Sequence, residues 1–454
     1  MFAKRNWRLV LAVIFLITLL IVLAPAKSNA AGLSLIRDAE IEDFLHDLTK
    51  PIFMAAGLNP NDIKIYIVND SALNAFVAGG QNVFINTGLI TKYSDPNVLI
   101  GVIAHETGHI TGGHLARSSE DMQSANNAVL MSYILGIAAA ATASPDAGMA
   151  MIMGGSQIAE RFALKFTRSQ EEAADSLALK YLSATDNSAD GLLEILELFG
   201  REEGEYRGKI DEYALTHPVS KKRINFIKAH AANLAKKDNV KLAKLQKRLE
   251  RIVAKLNGFL NDPDQTLKFN TQNDVNSKYA LVIAHHKKGN SKEALKILNE
   301  LIKSDPTDGY LFDLQGQILF ENGDQKNAII AYNQAINLCK GNNLARIALA
   351  TALINLNSGD KNLTDFAIEN LLTAMQSEKS DSNVYKQLSM AYNQNGDLGR
   401  SYLSLAELNL LEANQEKTKK YVKLAKENLD KNDKISLLRL DDIEEFAKKI
   451  KDKK

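Results

Sequence analysis

This 454-residue chain has a single cysteine, Cys339, and its charges nearly cancel. One cysteine excludes an intrachain disulfide framework and any cysteine-rich metal site. With 55 lysines and arginines against 54 aspartates and glutamates, the chain lacks the general basic field that nucleic-acid binding uses, so no nucleic-acid partner is expected. Hydrophobic residues (45%) and charged residues (24%) are at ordinary levels for a globular protein. The chain is too long for one compact core, so at least two domains are expected.

The N-terminus has the pattern of an export signal. Three basic residues precede an unbroken apolar run over residues 9–24, and small residues follow up to Ala30. This order is typical of a secretory signal peptide, and we favour cleavage after Ala30 over an uncleaved inner-membrane anchor. Because the basic residues come before the apolar run, the rest of the chain is expected outside the cytoplasm in either case. We therefore predict a signal peptide over residues 1–30 and a periplasmic protein.

A strongly apolar helix carries the first chemical motif. Asp95-Pro96 begins it, nearly every position up to Ala104 is apolar, and His105-Glu106-Thr107-Gly108-His109 follows. Two histidines and a glutamate are costly to bury on such a helix unless they are paired or bind a metal. Both imidazoles project from one helix face and can share an ion, because they are four residues apart. Glu106 can then reach a water beside the metal and act as general base, which is the arrangement of a zinc peptidase.

A zinc site of this kind needs a third ligand. His114 is one candidate, but on a continuing helix its side chain would point away from His105, so we reject it. The better candidate lies in the segment 170–175, where Glu171 and Asp175 are four residues apart. Glu171 would bind the metal, and Asp175 would hold the second ring nitrogen of a ligating histidine. A solvated acidic helix face explains the same spacing, and the spacing alone does not choose between them.

Together the two motifs resemble the clan of zinc peptidases that includes HtpX and the CaaX prenyl proteases. In that clan both histidines and the first glutamate of Glu-x-x-Ala-Asp bind zinc. The resemblance therefore implies a zincin-like domain with one Zn²⁺ per chain, held by His105, His109 and Glu171. It also implies Glu106 as the general base, with Asp175 as a second catalytic residue. The export signal and the C-terminal repeats described below make the BepA-like periplasmic branch of this clan the nearest match.

Three further features of the first half carry functional predictions. His217 is either a fourth zinc ligand that blocks the open position and keeps the enzyme latent, or a surface histidine. Arg223 either stabilises the oxyanion, pairs with Asp175, or is a solvated helix charge. If the predicted strand Asn82-Val83-Phe84-Ile85 lies at a sheet edge, an extended substrate can add to it through main-chain hydrogen bonds.

The second half of the chain repeats. Gly289 and Gly323 lie one period of about 34 residues apart, and Gly359 and Gly396 continue the rhythm with small insertions. This spacing is typical of tetratricopeptide helix pairs, each of which buries its apolar face only against its neighbours. A generic helical bundle is the alternative, and the recurrence of the period disfavours it.

The predicted architecture has two domains after the signal peptide. A mainly α metallopeptidase domain with a small β-sheet (an α+β fold) is expected over residues 31–262. An all-α tetratricopeptide solenoid of about four helix pairs plus a C-terminal helix is expected over residues 263–454. The apolar but interrupted segment 128–155 is interpreted as a lid, as a hairpin resting on a membrane surface or a partner, or as plain core helices.

Two functions are compatible with this sequence. The resemblance implies a peptidase that degrades misfolded or stalled outer-membrane proteins. Its repeats would bind unfolded or misassembled clients, or the outer-membrane β-barrel assembly machinery, with a chaperone role as well. The alternative is a chaperone or adaptor for outer-membrane protein assembly in which the repeats do the work without proteolysis.

Overall fold

The computed structural model describes residues 34–78, 81–93, 95–114, 166–205, 217–232, 240–356 and 359–449. The predicted signal peptide and the apolar segment 128–155 lie outside these ranges. Among the described helices, none is both long enough and apolar enough to span a bilayer. The predicted fold class is confirmed, because a mainly helical first half with one small sheet is followed by an entirely helical second half.

The sheet has four short strands: β1 (Leu35–Ile36), β2 (Ile65–Val68), β3 (Ala75–Ala78) and β4 (Asn82–Asn86). Their order is β1-β2-β4-β3. β2 and β4 are parallel, whereas β1 pairs with β2 and β3 pairs with β4 in antiparallel fashion. The prediction that residues 82–85 form an edge strand for substrate is therefore wrong, because both sides of β4 are already hydrogen-bonded. The edge strand beside β4 is β3, which the sequence analysis did not identify.

Seven α-helices accompany the sheet in the described first half: α1 (Ala39–Ala55), α2 (Thr87–Lys92), α3 (Pro96–Thr111), α4 (Arg168–Ala184), α5 (Asp190–Glu205), α6 (Lys221–Ala231) and α7 (Val240–Leu260). Side-chain caps fix where four of them begin, among them the two that carry the candidate site. The Asp95 carboxylate accepts from the Asn97 main-chain N–H at the start of α3, with Pro96 in the first turn. Thr167 and Gln170 form a capping box at the start of α4.

Helix α3 lies at the centre of this half, with its residues buried on nearly every side from Pro96 to His109. Small residues allow its neighbours to approach closely. A Cβ on Gly101 would lie only 2.6 Å from the Leu192 main-chain nitrogen of α5, so no larger residue fits there. The continuous apolar pattern predicted from the sequence thus corresponds to a helix surrounded by strands and helices, which holds its polar motif away from solvent.

The described second half begins with α8 (Pro263–Phe269) and continues as five consecutive helix pairs: α9 (Val275–Lys287), α10 (Ser291–Ser304), α11 (Gly309–Glu321), α12 (Gln325–Leu338), α13 (Asn343–Leu356), α14 (Lys361–Met375), α15 (Ser382–Gln394), α16 (Leu398–Leu411), α17 (Gln415–Asn428) and α18 (Lys434–Lys449). The glycines that carried the repeat prediction lie between the helices of the first four pairs. All four have positive φ, for example 75° at Gly289 and 84° at Gly323, which a side chain would disfavour.

A buried ionic cluster joins the helix pairs to α1 and α7. The Glu40 carboxylate of α1 accepts from the Tyr279 hydroxyl of α9 at 2.8 Å and from Lys255 of α7 at 3.1 Å. Arg251 of α7 lies 2.6 Å from Glu40 and also pairs with Asp308, just before α11. The first and second halves therefore meet through buried charges as well as apolar contacts.

Candidate metal centre

Four side chains from three segments converge inside the first half. His105 and His109 lie on α3, Glu171 lies on the first turn of α4, and His217 lies shortly before α6. One ligand-type atom from each side chain lies within 4.8 Å of the others, and all four side chains are fully buried. The Nε2 atoms of His105 and His109 are 3.1 Å apart. The Glu171 carboxylate oxygens lie 3.4 Å from Nε2 of His105 and 3.3 Å from Nε2 of His109.

These separations fit a zinc ion. Ligand atoms about 2.0–2.1 Å from a tetrahedral zinc lie about 3.3 Å from one another, close to the 3.1–3.4 Å measured between the two imidazoles and Glu171. Both carboxylate oxygens of Glu106 are buried and make no well-formed hydrogen bond with the described residues. A buried carboxylate without a hydrogen-bond partner is unfavourable unless a water or an ion lies nearby. The residues present therefore suit a hydrolytic zinc site.

Asp175 and Arg223 lie next to the cluster and contact His105 and Glu171. Asp175 lies 2.9 Å from Nδ1 of His105, the ring nitrogen that faces away from the other donors. Nε and Nη2 of Arg223 donate to Asp175 at 2.7 and 2.9 Å, and Nη1 lies 2.6 Å from Glu171. Of the alternatives for Arg223, the contacts are those of an ion pair with Asp175 rather than those of an oxyanion donor or a solvated charge. This pairing fixes the orientation of both carboxylates.

His217 is not a surface histidine, because its ring is fully buried. Its Nδ1 lies 3.0 Å from Glu171, and its Nε2 lies 3.5 Å from Glu106. The ring therefore occupies the space between a candidate ligand and the candidate general base. That is the space in which a substrate carbonyl or a water would have to lie for Glu106 to act on it.

The structure also shows two contacts to His109 that the sequence analysis missed. Helix α3 ends at Thr111, and the chain turns so that Nδ1 of His114 lies 3.0 Å from Nδ1 of His109. Phe166 stacks on the His109 ring with centroids 3.8 Å apart. The argument that placed His114 on the opposite face assumed a continuing helix. The residues Gly112-Gly113 were the signal that the helix stops.

The charges of the cluster suit a cation site. Burial opposes a proton on His105, but its contacts with Asp175 and Glu171 outweigh burial and raise its pKa to about 9. Burial lowers the pKa of His109 well below its usual value, so this ring is neutral, as a ligand must be. Burial alone would raise the pKa of Glu171, but the neighbouring histidine rings hold it well below its usual range. A metal ion would therefore meet an ionised carboxylate at Glu171 and a neutral imidazole at His109, and it would displace the proton that His105 holds.

Comparison with known proteins gives relatives that are peptidases by name. Over 331 residues the chain is 25% identical to the Beta-barrel assembly-enhancing protease of Escherichia coli (strain K12), covering 70% of this chain and 66% of that protein. It is 27% identical over 184 residues to the Mitochondrial metalloendopeptidase OMA1 of Schizosaccharomyces pombe, covering 40% of this chain and 51% of that protein. It is 27% identical over 178 residues to the Metalloprotease YcaL of Escherichia coli, covering 38% of this chain and 63% of that protein. The chain thus spans just under two thirds of the first of these relatives.

Two family models match separate parts of the chain. The model described as Tetratricopeptide repeat matches residues 275–308 and 311–342, which are the first two helix pairs. The model described as Peptidase family M48 matches residues 36–231, a range that contains the four converging side chains. Residues 36–231 therefore match peptidase family M48, and matches to the tetratricopeptide repeat follow them along the chain.

Proposed function

We propose that this protein is a zinc metalloendopeptidase of the periplasm that degrades misfolded or stalled envelope proteins, including outer-membrane proteins. One observation supports the proposal above all others. His105, His109 and Glu171 present donor atoms at the mutual spacing of zinc ligands, and the Glu106 carboxylate lies beside them without a well-formed hydrogen bond. A purely structural zinc site would not need a further buried carboxylate next to the ligands.

Each residue has a distinct role in this proposal. His105, His109 and Glu171 would hold the ion, and Asp175 with Arg223 would keep His105 and Glu171 in place. Zinc, when bound, supplies Lewis acidity that polarises the scissile carbonyl and makes a nearby water more acidic. Glu106 would take the proton from the attacking water and give it to the leaving amine. Burial raises the pKa of Glu106, against the weaker opposing effects of the nearby His217 and His105 rings, which suits a base near neutral pH.

The position of His217 favours a latent enzyme. Its ring contacts Glu171 and approaches Glu106, so substrate has no room beside the base while the ring stays there. All the candidate catalytic side chains are fully buried in this arrangement. We therefore propose that His217 serves as the latch, as a fourth zinc ligand, and that it must move before a substrate can be cut.

The edge strand β3 is the better candidate for aligning an extended substrate. It pairs only with β4 among the described strands and packs against α3, the helix that carries Glu106. Main-chain hydrogen bonds to such an edge bind unfolded segments with little preference for sequence. All four residues of β3 are buried here, so the edge has to be uncovered when substrate binds.

The clients and partners are proposed from the relatives and the repeats. One relative is named a Beta-barrel assembly-enhancing protease, so we propose outer-membrane β-barrel proteins stalled in assembly as clients. The helix pairs would bind these unfolded or misassembled clients, act as a chaperone, or bind the assembly machinery itself. The signal-like N-terminus supports export to the periplasm, with cleavage after Ala30.

Glu106→Gln tests the proposal against the non-proteolytic alternative. The mature protein and its variant are incubated with an unfolded outer-membrane β-barrel protein, and cleavage, client binding and zinc content are measured. We expect the substitution to abolish cleavage and to leave binding and zinc content intact, since the amide cannot accept the proton. Glu172→Gln is the matched control, because Glu172 pairs with Lys222 near the protein surface.

The outcomes separate the two functions. Cleavage retained in Glu106→Gln would reject Glu106 as the general base. A wild-type protein that binds zinc and client but never cleaves, even after His217→Ala, would favour a chaperone or adaptor role for the repeats. A wild-type protein that binds no zinc would reject the metal centre altogether.

A further inference from the structure

A second histidine, His114, contacts His109 on the side of the ring that faces away from the metal-binding cluster. Nδ1 of His114 lies 3.0 Å from Nδ1 of His109, and the His114 ring is only 3% exposed. Nε2 of His109 faces the other donors of the cluster. We infer that His114 is a positioning residue that fixes the tautomer and orientation of His109, so that the buried Nε2 lone pair points at the metal position.

The hydrogen-bond chemistry determines the direction of this contact. A neutral imidazole that binds a metal through Nε2 must carry its proton on Nδ1. Nδ1 of His109 therefore donates, and Nδ1 of His114 accepts with its own proton on Nε2. Without an acceptor at that point, the buried N–H of His109 would have no hydrogen-bond partner, which is unfavourable. The competing tautomer, with the proton on Nε2, cannot bind the metal.

The turn after α3 brings the His114 ring next to Nδ1 of His109. Gly113 has a φ of 63°, the left-handed conformation that ends the helix and reverses the chain. A Cβ on Gly112 would lie only 2.5 Å from Nε2 of His114, so the ring lies flat against the Gly112 backbone. The φ of Gly112 itself is −70°, which any residue can adopt, so an alanine there is opposed by contacts of its Cβ with the His114 ring and with the Gly108 carbonyl oxygen at 2.9 Å.

Phe166 completes the enclosure of His109. Its ring stacks on His109 at an angle of 28° and is itself only 4% exposed. The His109 ring can therefore neither tilt toward Phe166 nor find solvent for its Nδ1 proton. The two ligand histidines are thus supported differently, because His105 is held by the charged Asp175 and His109 by a neutral imidazole.

This inference rests on the proposed zinc site and predicts a specific loss of zinc affinity. His114→Phe keeps the ring volume but removes the acceptor, and we expect it to weaken zinc binding about 10- to 100-fold. His114→Asn places Oδ1 where Nδ1 was, and we expect it to recover most of the affinity. Gly112→Ala should act in the same direction as His114→Phe, because the new Cβ displaces the ring. His286→Phe in α9, where the ring pairs with Glu321, is the matched control.

Zinc affinity is measured by competition with a chromogenic chelator, and the visible spectrum of the Co²⁺-loaded protein reports the coordination geometry. The thermal midpoint of each metal-free variant shows whether it folds. Equal zinc affinity and an unchanged Co²⁺ spectrum in folded His114→Phe would overturn the inference and leave the proposed enzyme intact. If the affinity falls equally in His114→Asn and His114→Phe, the acceptor is not what matters and the inference is rejected. Failure of the wild type to bind zinc would instead reject the proposed function itself.

Discussion

Gly108 of α3 lies directly against Ala174 of α4. A Cβ on Gly108 would come within 2.7 Å of the Ala174 carbonyl oxygen and 3.0 Å of its Cα. Gly108 sits between Thr107 and His109, and Ala174 immediately precedes Asp175. The two motifs that the sequence separates by more than sixty positions thus meet backbone to backbone, and this contact sets the distance between the histidines and Glu171.

Gly108→Ala is therefore predicted to disrupt the metal centre, although alanine normally stabilises a helix interior. The added methyl group cannot be accommodated without moving α3 away from α4, which should cost about 1–3 kcal/mol as an overpacked core site does. Zinc content after gel filtration and the free energy of unfolding in urea are the measurements. Gly341→Ala is the control, because an added Cβ there meets no atom within 4 Å. Full zinc content in a stable Gly108→Ala protein would contradict this prediction.

His217→Ala is predicted to raise the basal rate of client cleavage several-fold. The substitution removes the ring that contacts Glu171 and approaches Glu106, while His105, His109 and Glu171 remain to hold zinc. The rate is followed with an unfolded β-barrel client at equal zinc occupancy. Lys222→Ala, on the exposed side of α6, serves as the control. Activity that stays the same or falls would count against His217 as a latch.

Glu40→Ala is predicted to destabilise the protein by about 1–3 kcal/mol, because Lys255 and Arg251 lose the carboxylate that they share and keep only Asp38 and Asp308. The Tyr279 hydroxyl also loses its acceptor, so the contact between α1 and the first helix pair weakens. Urea unfolding measures the loss, and limited proteolysis near residue 262 reports separation of the two halves. Glu300→Ala, which breaks an exposed pair with Lys278, should produce no measurable change. Equal stability of the two variants would refute the role of the cluster.

Asp313→Asn is predicted to change how stability depends on pH. Burial raises the pKa of Asp313 to about 6, although a hydrogen bond from Asn342 opposes this. The folded state thus holds the proton more tightly than the unfolded chain, so this residue's contribution to stability falls as pH rises from about 4 to 6. Relative to wild type, the variant should gain about 1–2 kcal/mol between pH 4 and 7 after solvent screening is allowed for. A difference in unfolding free energy that does not vary over this range would contradict the prediction.

Much of the architecture follows from local patterns in the sequence. The spacing of His105 and His109 sets both on one helix face whatever surrounds the helix, because 3.6 residues make a turn. The repeat period likewise predicts helix pairs, because each unit packs mainly on its neighbours. These features depend on backbone geometry and nearest-neighbour contacts, which the sequence records directly.

The tertiary structure decided the features that depend on distant segments. Spacing alone could not distinguish a ligand at Glu171 from a solvated acidic face, and only the packing of α4 on α3 brings its carboxylate to the two imidazoles. The pairing of Arg223, the burial of His217 and the central place of β4 in the sheet likewise arise from contacts across the fold. The sequence shows the two glycines of the turn after α3, but it does not show that this turn brings His114 into contact with His109. Side chains far apart in the chain meet only where close packing allows it, and one methyl group at Gly108 would prevent it.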